Sequence, residues 1–599
     1  LADLLAVNNP LPGHACVVMR DAATYTEQVT VEGFTNNGSS ISIFTDPAVG
    51  ARAVVDPPVS STAAFFVKNA SVNVYAIDVK PTGQQATYGV YASSAYVRVS
   101  SVNVDAGGQI WQAGVSLSSW SVLSHSSITV GAAHALYLDG SSMTAVSYST
   151  ASNASSLAGV YVMQGSSNSF TRFLSSNSVG GAFYLNATKA NVIDLSTGLG
   201  GGTALFAMTS SSNNLKRSYF YSRTNNGVEF GGGAGNVFQL STANAQNFGY
   251  TAWGSASSNT IDASLLHSRA DPGLYIDTVN NFDILRSTMT SASAGAYAAE
   301  LFASADSYLS GSYVQSFVGG GMNVYGTSPR TVILNSTFSA AGAGSTALYV
   351  SAAGSTTITS SLILGSVYGI IFDAGSDYST VTNSTITSAS DQLSFYGSYS
   401  RFDAGRISGT GMGVSFAGPS NTVTGTVVNG SWGLYFNADS NVFATGSVAS
   451  PSDGAVFDNG ADFNSILYST IVASGRGIHL NLGSTNTISN SYIVGSTAAY
   501  FLASYGNRIQ SSVLISSRPG AAAVIVDDGG AAVSSPTIMA PPAGMGVRGF
   551  NAAGPVVFSS NVISGARYGG FLGTQAASAA VWLTSNTVIV STSPSFFTY

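Results

Sequence analysis

The sequence predicts an all-β chain, a parallel β-solenoid of roughly 25 coils with about 23 residues each. Three observations predict it: a Gly-led strand motif recurs, asparagines return at one period, and short runs alternate apolar and polar residues with no space for helices between them.

The motif reads Gly, apolar, any, apolar, small polar. It appears as Gly273-Leu274-Tyr275-Ile276-Asp277, Gly369-Ile370-Ile371-Phe372-Asp373, Gly433-Leu434-Tyr435-Phe436-Asn437, Gly454-Ala455-Val456-Phe457-Asp458 and Gly477-Ile478-His479-Leu480-Asn481, with steps of 21 and 23 between the last three. Asn168, Asn191, Asn214, Asn236, Asn259 and Asn281 follow one another at steps of 23, 23, 22, 23 and 22. Asn421, Asn441, Asn464, Asn486 and Asn507 resume the series at steps of 20, 23, 22 and 21, and Asp306, Thr356, Ser379 and Ser400 fall near the expected places between. The strand runs have period two and are rich in Val, Ile, Thr, Phe and Tyr. Too few residues separate them for a crossover helix, so successive strands turn a corner and the chain returns above itself. Asparagine suits such a corner because it tolerates the left-handed backbone and can hydrogen-bond to its counterpart in the next coil, forming a ladder.

These residues resemble the right-handed parallel β-helix of the pectate-lyase-like superfamily, in which coils of this length stack internal asparagines at one turn. The stretch Val17–Val31 is similar to the first coil of such proteins. The resemblance implies a right-handed parallel β-helix over nearly the whole chain. It implies little about activity, because that superfamily includes lyases, hydrolases, esterases, tailspikes, adhesins and inert surface proteins.

Residues 1–14 are expected to cap the first coil, with Leu1, Leu4, Leu5 and Val7 at helix-like intervals. Residues 15–599 are expected to form a single continuous β-helix; Val581-Trp582-Leu583 and Thr587-Val588-Ile589-Val590 are still coil-like, so either more polypeptide follows or another subunit covers this end. At about 4.8 Å per coil this is a rod about 120 Å long. A chain that starts at Leu1 and is rich in Ser, Thr, Asn and Gly reads as an exported protein that has lost a leader.

Composition excludes several function classes. Charged residues make up 8% of the chain, against about 25% in an average soluble domain. With 20 Lys+Arg, 27 Asp+Glu, a net charge of -7 and no basic cluster, the chain lacks the footprint of a nucleic-acid binder. A content of 45% hydrophobic residues excludes a disordered acidic chain. No apolar run approaches the roughly 18 residues of a membrane span. The single Cys16 cannot form an intrachain disulfide and reads as an apolar filler.

Candidate chemistry is sparse. Asp373, Asp458 and Asp527 each close a strand motif, and Asp527-Asp528 is the one adjacent acidic pair. These four are the candidate acids, although Asp527-Asp528 before Gly529-Gly530 reads first as a turn. A polygalacturonase-type Gly-His-Gly is absent, and Arg508-Ile509-Gln510 lies before the acidic pair rather than after it. Asn437, Asp458 and Asn481 should be vertical neighbours with Asp453 near, but one carboxylate is too little charge for calcium. No metal or other cofactor is expected. His14, His125, His134, His267 and His479 show no ligand spacing.

Middle residues of the motif strands should point outward, giving an intermittent stripe of Tyr161, Tyr184, Phe206, Tyr275, Tyr349, Ile371, Tyr435, Val456, Phe501 and Ile525. Tyr161, Tyr184, Tyr275, Tyr349 and Tyr435 would either stack on sugar rings or pack against a neighbouring molecule. A mean hydropathy of +0.25 and few charges favour the second use. The leading expectation is therefore a non-enzymatic, extracellular or cell-surface structural protein that self-associates or meets other surface proteins. The alternative is a β-helix that binds or degrades a polysaccharide, with Tyr275, Tyr349 and Tyr435 as sugar platforms.

Overall fold

The structure, a computed structural model, describes residues 9–83, 85–550, 554–565, 568–572, 581–590 and 596–598. The expected capping residues Leu1, Leu4, Leu5 and Val7 lie outside them. Among the described residues the elements are short strands and one 3-10 turn, Pro47–Val49. None of them is a helix long and apolar enough to cross a membrane. The chain divides into two compact units, residues 1–299 and 300–599.

In the first unit every coil contributes one strand to each of three parallel sheets. One coil is Ser169–Thr171, Leu174–Asn177 and Phe183–Asn186, and the next is Val192–Asp194, Thr197–Gly200 and Leu205–Met208. Period-two alternation sends one set of side chains inward, and register stacks like on like. In the first sheet Phe170, Ile193, Leu215, Phe238, Ile261 and Ile284 form one continuous buried column. Where a column position is small, its neighbours fill it: a β-carbon on Gly198 would meet the rings of Phe220 and Phe183 at 3.0 and 3.2 Å. Close packing of this kind explains why coils of unequal composition keep one cross-section.

Corners are built from two consecutive residues, the first left-handed and the second polar and buried. Between the first and second sheets these pairs are Leu195-Ser196, Arg217-Ser218, Leu240-Ser241, Ala263-Ser264 and Arg286-Ser287, with φ of 47–49° at the first residue. The N–H groups of Ser196, Ser218, Ser241 and Ser264 donate to the serine hydroxyl one coil on, at 3.1, 3.0, 3.1 and 3.1 Å. At the corner between the third and first sheets asparagine does the same. The N–H groups of Asn168, Asn191, Asn213 and Asn236 donate to the side-chain oxygens of Asn191, Asn213, Asn236 and Asn259 at 2.9, 3.0, 3.0 and 2.7 Å.

Four expectations differ from the structure. Asn213, not Asn214, occupies the corner; Asn214 begins the strand Asn214–Lys216. Asn281 is an exposed left-handed residue, and buried Phe282 takes the inward place. The left-handed backbone belongs to the residue before each asparagine, such as Ala190 or Ser212, so asparagine is there for its hydrogen bonds. Cys16 is also exposed rather than buried, because period two turns it outward in the strand Ala15–Met19.

The second unit repeats the plan. Leu309, Ile333, Ile358, Val381, Phe402, Val423 and Phe443 form a buried column in its first sheet. In its third sheet Phe372, Phe395, Phe416, Phe436 and Phe457 stack with centroids 5.6, 6.0, 4.6 and 4.4 Å apart. Ser307, not half-buried Asp306, stands at the polar corner, followed by Thr331, Thr356, Ser379, Ser400, Asn421, Asn441, Asn464, Asn486 and Asn507, all buried. The N–H groups of Asn421, Asn441, Asn464 and Asn486 donate to the next asparagine at 2.8, 2.7, 2.8 and 2.9 Å.

Candidate functional site

The third sheet of the second unit carries most of the candidate residues on its outer face. Its strands Thr346–Val350, Tyr368–Phe372, Leu393–Phe395, Met412–Phe416, Trp432–Phe436, Ala455–Phe457, Arg476–Asn481, Thr497–Leu502 and Ala522–Asp527 pair in register. The outward column is Tyr349, Ile371, Ser394, Ser415, Tyr435, Val456, His479, Tyr500 and Ile525. Tyr500 therefore replaces Phe501, which is buried in the core; Ala498 stands in register where Gly477 opens the motif in the preceding coil, and without that glycine the motif read from sequence slipped by one residue.

A second outward column lies at the strand ends: Asp373, Tyr396, Ala417, Asn437, Asp458, Asn481, Leu502 and Asp527. Phenols of the first column reach across to it. Tyr435 donates to Asp458 at 3.1 Å, Tyr500 donates to Asp527 at 3.2 Å, and Tyr349 donates to Asp373. Burial, followed by the neighbouring carboxylate, raises the phenol of Tyr349, Tyr435 and Tyr500 above the ordinary tyrosine value. All three therefore act as proton-bearing donors.

The candidate acids are too far apart to work as a pair. Along one column the coils are about 4.8 Å apart, so Asp373 and Asp458, four coils apart, are separated by about 19 Å and Asp458 and Asp527 by about 14 Å. A glycosidase pair needs about 5–9.5 Å. Asp528 is an exposed left-handed turn residue. Asn437, Asp458 and Asn481 are vertical neighbours, but they serve one another: Asn481 donates to Asp458 at 2.8 Å, the Asn459 N–H donates to it at 3.0 Å, and the Asn459 amide donates to Asn437 at 2.9 Å. Among the described residues no three His, Cys, Asp or Glu side chains converge.

One constellation stands out that the sequence reading missed. Asp453, at the corner before the strand Ala455–Phe457, accepts the Arg476 N–H at 2.8 Å, and its other oxygen is 3.2 Å from a terminal guanidinium nitrogen. The second terminal nitrogen of Arg476 lies 3.0 Å from His479 Nε2, while His479 Nδ1 lies 3.7 Å from Asp453. Arginine has no acceptor, so Nε2 must receive this hydrogen bond and the ring proton sits on Nδ1, facing the carboxylate. Arg476 also covers the Tyr500 ring at 5.4 Å, with the His479 ring 5.4 Å from the same tyrosine. Burial works to raise the Asp453 carboxyl, but the imidazole and guanidinium outweigh it and hold the group below its ordinary value. Asp453 is thus an ionised anchor, and Arg476, with 38% of its side chain exposed, keeps a second N–H on each terminal nitrogen for a ligand. The signal was present: Asp453 and Arg476 are 23 residues apart, one period, and the steps from Tyr435 through Val456 and His479 to Tyr500 are 21, 23 and 21.

In the first unit the corresponding outer column holds Tyr137, Tyr161, Tyr184, Phe206, Glu229, Thr251 and Tyr275. Rings of Tyr161 and Tyr184 stack at 4.9 Å, those of Tyr184 and Phe206 at 5.1 Å, and those of Phe248 and Tyr275 at 4.9 Å. These side chains are half-buried against one another.

Residues 110–266 and 253–386 match the family model of the right handed beta helix region. The fold is that of a right-handed parallel β-helix. Solved structures similar to it include the A-module of the mannuronan C-5 epimerase AlgE6 of Azotobacter vinelandii, at 9% identity and a TM-score of 0.32, covering 59% of this chain and 92% of that one. The Dettilon tailspike protein is similar at 11% identity and a TM-score of 0.27, covering 55% of this chain and 63% of that one. DFA-IIIase of Arthrobacter chlorophenolicus A6 without its lid is similar at 15% identity and a TM-score of 0.28, covering 56% and 88%. No curated protein sequence matches the chain.

Proposed function

We propose that this chain binds an acidic polysaccharide across the third sheet of its second unit. The observation that carries the reading is the Asp453–Arg476–His479–Tyr500 constellation, which gathers a rigidly held guanidinium and an aromatic ring on a chain with only 20 Lys+Arg. A planar guanidinium presents N–H pairs that match a carboxylate or sulfate fork. The Tyr500 ring backs the guanidinium, and Tyr435, two coils away on the same outer column, supplies a ring face for a pyranose. Asp453 and His479 act as positioning residues that fix the guanidinium plane.

Binding without cleavage suits the geometry better than hydrolysis. The carboxylates are too widely spaced for a glycosidase pair, and the His479 lone pair is engaged by Arg476. The expected structural role drew on low charge, an end read as uncapped, an outward aromatic stripe and missing catalytic sets. In the first unit the stripe is half-buried and self-stacked, and the constellation is present, so the polysaccharide reading is the stronger one. An extracellular or cell-surface location accords with such a ligand.

Affinity electrophoresis against alginate, polygalacturonate and a sulfated glycan tests the proposal. At least one should retard the protein, and Arg476→Lys, which keeps the charge but loses the fork, should weaken retardation by about tenfold, about 1.4 kcal/mol. No reducing ends or unsaturated products should accumulate. Absence of retardation by every acidic glycan, or equal retardation of the Arg476→Lys variant, would sink the reading.

A further inference from the structure

Charge is spread unevenly over the outer face that carries the Arg476 constellation. Successive coils place the third-sheet strands Ala455–Phe457, Arg476–Asn481, Thr497–Leu502, Ala522–Asp527 and Met545–Phe550 side by side. Asp453 and Asp458 flank the first of these strands, and Arg476 opens the second. The third presents Tyr500 and no charge, and the fourth ends in Asp527. On the fifth stands Arg548, exposed and in register with Ile525 and so with Tyr500. Burial and Asp527 raise the Tyr500 phenol while Arg476 and Arg548 oppose them, which places both guanidiniums around that ring. One coil before all five, the strand Trp432–Phe436 has no charge and offers Trp432, 42% exposed, 6.1 Å from Tyr435.

Along the axis the six coils therefore run neutral, negative, positive, neutral, negative, positive. Extended pyranose chains advance per sugar by close to one coil spacing, about 4.8 Å, so a glycan lying along this face sets roughly one sugar on each coil. Arg476 and Arg548 are three coils, about 14 Å, apart in that direction. A polymer with a carboxylate on every sugar would meet both, but it would also set carboxylates against Asp453, Asp458 and Asp527, where like charges repel. Asp453 already offsets part of the Arg476 charge, which leaves little attraction to oppose that repulsion. A polymer with neutral sugars between its acidic ones can meet both guanidiniums and set uncharged rings on the remaining coils.

We propose that this face selects a sparsely charged glycan, in which neutral sugars separate the acidic ones, over a polyuronate charged at every residue. The inference rests on the binding reading and names its substrate class: Arg548 is the second anion contact, and Trp432 is a platform for a neutral sugar. Affinity electrophoresis at low salt compares one linear backbone at three charge densities. The probes are uncharged hydroxyethyl cellulose and carboxymethyl celluloses with about one carboxylate per three sugars, matching the three-coil spacing, and about one per sugar. The sparsely charged polymer should bind at least about fivefold more tightly than either of the others, and Arg548→Gln should weaken its binding about threefold. Asp458→Asn combined with Asp527→Asn should bring the dense polymer to within about twofold of the sparse one while circular dichroism stays unchanged. The proposal fails if the dense or the uncharged polymer binds as tightly as the sparse one, if none binds, if Arg548→Gln binds as wild type does, or if the double variant keeps the full preference. Such a failure is distinct from loss of the binding reading: an acidic glycan that retards wild type more than Arg476→Lys would still show binding at this site.

Discussion

At a corner the left-handed residue and the polar residue behind it do different work. Side chains such as Leu195 and Leu240 accept a backbone conformation that costs about 1–2 kcal/mol, and the serine or asparagine that follows offsets it by receiving a backbone N–H from the coil before. Neighbouring asparagines therefore differ sharply in value. Asn213 donates to and accepts from its stacked counterparts, and replacing it with alanine leaves a buried N–H on Asn191 unpaired. Asn213→Ala should cost about 1–3 kcal/mol. Asn214→Thr should be neutral or stabilising, since the buried Asn214 side-chain oxygen has no partner and threonine suits a strand. Urea unfolding monitored by circular dichroism compares the two; equal losses would mean that the corner hydrogen bonds contribute nothing. Adjacent asparagines, Asn213-Asn214 and Asn280-Asn281, are also why the sequence reading slipped. Both members fit the period, and only packing decides what turns inward: Asn213 at the first pair, and Phe282 in place of either asparagine at the second. A slip of one residue exchanges core for surface, as it did for Tyr500 and Phe501. The serine column at Ser196, Ser218, Ser241 and Ser264 had an equally regular spacing but was lost in a serine-rich background.

The strand motif of the third sheet begins with glycine for a steric reason. A β-carbon on Gly454 would lie 2.3 Å from a methyl of Ile471 and 2.6 Å from the Gly477 carbonyl; on Gly433 it would lie 2.2 Å from a methyl of Val448 and 2.3 Å from the Gly454 carbonyl. The chain enters the third sheet beneath the next coil's backbone and against its second-sheet side chains, so there is no room for a side chain. Gly454→Val should destabilise the unit by about 1–3 kcal/mol through overpacking. Gly460→Ala makes a useful contrast: nothing lies within 4 Å, but its φ of +78° imposes a backbone penalty of about 1 kcal/mol. Scanning calorimetry should show the larger drop for Gly454→Val. The recurring glycine made the strand starts legible in sequence. The Asp453–Arg476–His479 constellation was not, because Asp453 lies one coil away from the strand that carries Arg476 and His479. Residue spacing identifies such a group only after the register of every coil is known.

Across each unit a coil pairs only with the coils on either side, so stability is close to a sum of nearest-neighbour terms. That arrangement explains why the architecture could be read from periodicity while chemistry could not: period is a property of all coils together, whereas a site depends on a few exceptions to it. With few charges, the pH response of the molecule also rests on individual groups, and Tyr250 dominates the alkaline side. It is fully buried among Phe230, Phe238 and Phe282, and burial raises its phenol far above the ordinary value. An unfolded tyrosine titrates near pH 10. Below that pH both states hold the proton and stability is unaffected. Above it the unfolded chain releases the proton while the folded chain retains it, so stability falls by up to about 1.4 kcal/mol per pH unit. Tyr137 adds a similar but weaker pull between pH 10 and its raised value of about 12. Tyr250→Phe keeps the ring contacts and removes the dominant titration. Its unfolding midpoint in urea should match wild type at pH 8 and exceed it progressively from pH 10 to 11.5. Parallel decline of the two proteins over that range would show that the alkaline sensitivity lies elsewhere.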